Sequence, residues 1–161
     1  MTDHAVETEL REFVTNATPR LLKLSEAESA RPRAPGKWSP KEVIGHLIDS
    51  VSHNHQRFVR AQFKDDLVFS GYEQDKWVAI QSYKTAPWAD LVGLWSLFNL
   101  HLARVIEAIP ASVRQENRTR HNLHEIAWQA VAQDQPTTLE YFMRDYVGHL
   151  KHHIAQILGP A

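Results

Sequence analysis

The sequence predicts an all-α protein, a four-helix bundle, and three observations carry that prediction. Four long stretches repeat apolar residues at spacings of three and four, wide polar connections separate them, and no stretch alternates as a strand would. The 161 residues fit one domain, residues 1–161, and are too few for two well-filled cores.

The first stretch covers residues 5–26, with Val6, Leu10, Phe13, Val14, Ala17, Leu21, Leu22 and Leu24 on one helical face. Pro19 falls inside it and is expected to kink or split the helix. Residues 29–37, with their prolines and glycine, read as a loop. The second helix has the clearest start. Ser39 is an N-cap, Pro40 takes the first helical position, and Glu42 completes a capping box. Trp38 is placed to pack on Val43 as a hydrophobic staple, and the helix runs to about Lys64.

Residues 66–84 are mixed, with one short helix expected over Gln74 to Ile80. The third long helix is expected from an N-cap at Thr85 to Ile109, where Pro110 stops it. A polar connection follows, and then a short helix over 123–132, capped by Asn122 with Glu125 in the capping-box position. The fourth long helix opens after Pro136, capped by Thr137 or Thr138, and ends at Gly159-Pro160.

Composition narrows the function. Charge is balanced, with 18 basic and 19 acidic residues, so there is no electrostatic footprint for a nucleic acid partner. No apolar run is long enough to span a membrane, and the acidic start does not read as a secretory signal, so a cytoplasmic location is expected. Cysteine is absent, so any metal site must use His, Asp and Glu. Ten histidines are many for this length, and histidine is the commonest metal ligand.

His149 and His153 are four residues apart on the last helix, which stacks two imidazoles on one face. His46, flanked by Val43, Ile44 and Leu47, turns toward the inside of the second helix and is the leading third ligand; a satisfied core histidine is the competing reading. Three histidines with an open position would make a catalytic type of metal site. Five further residues are candidates for supporting the site or lining a substrate pocket: Asp49, His53, Arg57, Asp145 and His152. Asp49 and Asp145 could orient a ligand imidazole or be plain helix charges. Arg57, about 16 Å along the axis from His46, could hold an acidic substrate tail or pair with a carboxylate. His101 reads as a core or interface residue, His55 points away from the His46 stripe, and His4, His121 and His124 lie in terminal or connecting segments.

The block Lys37 to Ser50 with Arg57-Phe58, and the block Asp145 to Ile157, resemble the second and last helices of the DinB-like superfamily. The middle stretch, Asp75-Lys76-Trp77 and Tyr83 to Pro87, is similar to the branch of bacillithiol transferases and the metal-dependent hydrolases named with them. The resemblance implies an up-down-down-up bundle, a homodimer, and one divalent ion, zinc or nickel, held at His46, His149 and His153. It also implies a small-molecule substrate, with thiol transfer through a metal-bound thiolate as the leading activity. Hydrolysis by metal-bound hydroxide and a non-catalytic, stress-associated metal-binding bundle remain as alternatives. The helix expected over 123–132 departs from the short extended link of the transferase branch, so the thiol substrate does not carry over with it.

Overall fold

A computed structural model describes residues 5–160; His4 lies outside the described residues. Four long helices, α1 (Val6–Leu21), α3 (Pro40–Arg60), α5 (Trp88–Ala108) and α8 (Leu139–Leu158), form the bundle. Short helices occupy the links: α2 (Glu26–Ser29), α4 (Gln74–Ile80), α6 (Ala111–Arg114) and α7 (Leu123–Ile126).

Contacts along the helices set their directions. Trp88 Nε1 at the start of α5 donates to Leu21 O at the end of α1, and Arg11 pairs with Glu107 at the other end, so these two are antiparallel. Lys41 donates to Ala86 O beside the start of α5, and His55 packs on Phe98 and His101 further along, so α3 and α5 are parallel. Phe58 meets Phe142 while His46 meets His153, which makes α3 and α8 antiparallel. Arg114 joins Glu7 to Glu140 at the starts of α1 and α8, which are parallel. The bundle is therefore up-down-down-up, as the resemblance implies.

Leu10, Val14 and Leu21 of α1, Ile44, Leu47 and Phe58 of α3, Trp95 and Leu102 of α5, and Phe142 and Leu150 of α8 fill the centre. Each such side chain contributes roughly 1.5–3 kcal/mol by leaving water.

Several local expectations hold. Ser39 and Glu42 make the capping box that starts α3, Thr138 accepts from Tyr141 N to start α8, and α4 spans Gln74 to Ile80. Pro19 sits in the last turn of α1, which stops at Leu21 before α2 begins under its own Ser25–Glu28 capping box.

Two expectations are corrected. Thr85 does not cap α5. It lies in a 3-10 turn with its hydroxyl on Ser82 O, and Pro87 precedes the helix. The helix expected over 123–132 is a single turn ending at Ile126. Asn122 does not cap it, because its amide is used elsewhere: Oδ1 accepts from Phe69 N and Nδ2 donates to Phe69 O. Nδ2 also reaches Glu125 Oε2 at 3.3 Å, but the side-chain oxygen, the atom that an N-cap needs, is taken by Phe69 N. Beyond Ile126 the chain runs through turns and irregular segments to the start of α8.

The two long links, residues 61–87 and 109–138, act as a first and a second strap. The chain after α3 runs back alongside it, so Ser70 meets Arg57, Tyr72 and Trp77 meet His53, Gln81 meets Asp49, and Ala86 meets Lys41. The second strap is bridged to the first at Leu67 and His121, and to the entry of α8 at Arg118 and Thr137. Together they roof the groove between α3 and α8.

Candidate metal centre

His46 lies two turns into α3 and is 1% exposed. His149 and His153 face it from the last turns of α8, because the antiparallel crossing brings the start of one helix to the end of the other. The three imidazoles offer ligand nitrogens within 4.8 Å of one another. His46 Nε2 and His149 Nε2 are 3.3 Å apart. Nitrogens of a tetrahedral zinc site with bonds of about 2.0–2.1 Å stand about 3.3 Å apart, so this edge already has the spacing that a shared ion needs.

The rings are held neutral. Burial pushes both His46 and His149 down to about 3, helped by the neighbouring imidazoles, and burial lowers His153 as well. A neutral imidazole keeps a lone pair for a metal, so the donor set fits one divalent ion. Gln156 Oε1, an acceptor, lies 3.0 Å from His153 Nδ1 and fixes that nitrogen as the N–H, which leaves Nε2 for the cluster. Trp38 packs its ring against His46, 5.1 Å between centroids, and covers it from solvent. His46 Nδ1 is buried without a hydrogen-bond partner.

A cavity of about 360 Å³ opens beside His46 and His149, between α3 and α8 and beneath the straps. Ser50, Asn54 and Arg57 line it from α3, and Phe142, Asp145 and Tyr146 from α8. Gly71 and Tyr72 come from the first strap, Ile126 to Trp128 from the second. A second hollow, about 280 Å³, reaches His153 and Gln156 from the side of Arg33, Lys37 and Trp38. The cluster thus has space on two sides.

The other candidates lie around this centre in different roles. Asp49 is not bonded to a ligand histidine. Its Oδ1 accepts from Tyr83 OH at 2.7 Å and Gln81 Nε2 at 2.8 Å, its Oδ2 is buried without a partner, and burial raises its pKa. That contact depends on Gly45, where an added Cβ would stand 2.2 Å from the Tyr83 ring. Asp145 spends its carboxylate on Trp128 N and Gln129 N, which ties the second strap to α8; burial raises its pKa despite those bonds. His53 donates from Nδ1 to Asp49 O and stacks on Tyr72, away from the cluster. His152 is exposed and accepts from Gln156 Nε2. Arg57 is on the cavity wall and pairs with no carboxylate among the described residues. His101 is exposed beside His55, and His121 is buried between Gln135 O and Leu123 N.

Sequence reasoning missed Gln156, and it allowed that one or two tryptophans line the pocket without saying which: Trp38 covers His46 and Trp128 walls the cavity. The spacing of three between His153 and Gln156 was an available signal, since such residues meet on a helix. The positions of the tryptophans had none.

The bundle and its three converging histidines define a class of metal-binding four-helix protein. The DinB superfamily matches residues 9–157, and the chain belongs to that family. Two relatives, each named "Putative metal-dependent hydrolase", are 24% identical to it. The one from Bacillus mycoides matches over 147 residues, 91% of this chain and 78% of the relative. The one from Bacillus cereus matches over 100 residues, 60% of this chain and 58% of the relative's own length. The fold is similar to YfiT from Bacillus subtilis, described as a probable metal-dependent hydrolase with an unusual four-helix bundle topology. That similarity has a TM-score of 0.76 at 20% identity and covers 94% of this chain and 81% of that one. No helix among the described residues is long and apolar enough to cross a membrane.

Proposed function

We propose that this chain is a metal-dependent hydrolase of a small-molecule substrate, with one divalent ion, zinc or nickel, held by His46, His149 and His153. The observation that carries this reading is the convergence of three neutral imidazoles, His46 buried and His149 and His153 half-buried, beside an open cavity. An ion held by neutral ligands keeps its full charge and an exchangeable position, and supplies Lewis acidity toward water or a substrate oxygen.

The chain's own groups do the rest. Gln156 holds the proton on His153 Nδ1 and so aims the ring. Trp38 keeps water from the outer side of His46. Trp128, pressed against Gly148, walls the cavity mouth, and Asp145 holds that wall through two backbone N–H groups.

Thiol transfer, the leading expectation from the resemblance, would use the same three histidines. The relatives' names favour hydrolysis, so thiol transfer is the second reading. Homodimer formation and a single folded domain are carried forward from the resemblance and the chain length; analytical ultracentrifugation tests the dimer.

The test loads the purified protein with zinc or nickel and measures retained metal and turnover of ester, amide and thiol-plus-electrophile substrates. Ester or amide turnover, lost with the metal in His46→Ala, His149→Ala and His153→Ala, is expected. Near-stoichiometric metal in all three variants overturns the ligand set. Turnover only with a thiol and an electrophile replaces hydrolysis by the second reading.

A further inference from the structure

Among the described residues, Lys41, Arg57 and Arg118 are the lysine and arginine side chains that are buried. Lys41 pairs with Glu26 and Arg118 with Glu116. Arg57, 6% exposed, has no acid within ion-pair distance among the described residues. A buried cation without a counter-charge is costly, and an anion that reaches it relieves that cost.

Arg57 is also incompletely bonded. Its guanidinium has five N–H donors. One contact goes to Asn54 Oδ1 at 3.4 Å and one to Ser70 O at 2.9 Å, and both acceptors are neutral. It lines the same cavity as His46 and His149, beside Ser50, Asn54 and Tyr72. Leaning back to the level of Asn54, it stands about 12 Å along the helix axis from His46. The Phe142 ring lies under it, 5.9 Å from the guanidinium carbon to the ring centroid.

We infer that the cavity takes a substrate with a carboxylate at the end distant from the reacting bond, and that Arg57 binds that carboxylate. A single fork-shaped cation among neutral polar groups suits a monoanion. Asp145 of α8 and Glu125 of α7 also line the cavity and disfavour a more highly charged group such as a phosphate. The inference rests on the metal-centre reading, because the other end of the substrate must meet the three histidines.

The test uses cobalt-loaded protein and its visible spectrum, titrated with the monohydroxamate of suberic acid and with its methyl ester. The hydroxamate reports on the metal, and the pair differ only at the distant end, a carboxylate in one and its neutral methyl ester in the other. The acid is expected to bind about ten- to a hundredfold more tightly than the ester. That advantage should vanish in Arg57→Gln and survive in part in Arg57→Lys. Equal binding of acid and ester to the unaltered protein, which needs no variant to fold, overturns the inference and leaves the metal centre standing. An undiminished advantage in folded Arg57→Gln overturns the role of Arg57. A spectrum unmoved by either compound overturns the metal-centre reading and the inference with it.

Discussion

Taking the metal-free protein from about pH 7.5 to about pH 5 should remove a large part of its stability. Burial holds His46 and His149 down to about 3, from an ordinary value of 6.5. In the unfolded chain both imidazoles take up a proton as the pH falls through 6.5, while in the folded chain they stay neutral. The unfolded state therefore binds more protons, and stability falls with falling pH. The contribution is complete above 6.5 and is lost progressively toward 3. Each pH unit below the ordinary value costs up to about 1.4 kcal/mol per imidazole, so at pH 5 the loss is about 2 kcal/mol each, or about 4 for the pair. A domain of this size is stable by about 5–15 kcal/mol in all, so the effect is readily measured. The assay is urea unfolding of chelator-treated protein across this range, alongside a His46→Gln/His149→Gln variant. Asp49 and Asp145, whose pKa values burial raises, act in the opposite sense, so the comparison with the variant isolates the histidines. Wild type and variant with the same pH dependence would refute the reasoning.

Three further outcomes follow from individual contacts. Gln156→Ala removes the acceptor that aims His153 and should weaken metal binding about 10- to 100-fold in a competition titration, with the fold intact by circular dichroism. Gly45→Ala drives a methyl into the Tyr83 ring and should destabilise the protein by about 1–3 kcal/mol in thermal or urea unfolding, whereas Gly93→Ala, with open space around it, should not show that penalty. Asn122→Ala leaves both backbone groups of Phe69 without their partner, a loss of about 1–3 kcal/mol, and should speed amide exchange in the two straps before the bundle helices.

The four long helices were legible because their signals are local. The stripe of Val43, Ile44 and Leu47, and the cap from Ser39 to Glu42, act within one turn, so adjacent residues suffice to read them. The pairing of His149 with His153 was legible for the same reason: four residues of helix place two rings on one face. The meeting of His46 with that pair was legible only through the resemblance, since no local rule states which helix crosses which.

What stayed hidden depends on partners far apart in the chain. Asn122 looked like a cap because its neighbours suit one, yet Phe69, 53 residues away, takes its amide. Asp49 looked free to orient a histidine, until the returning strap brought Tyr83 and Gln81 to it. The sequence by itself determined the helices, the absence of thiol ligands and the imidazole pair, because capping, periodicity and composition are properties of neighbouring residues. Only the tertiary structure decided which carboxylates were spent on straps and which cation, Arg57, was left facing the cavity, because a polar side chain is committed by whichever partner folding brings within about 3 Å.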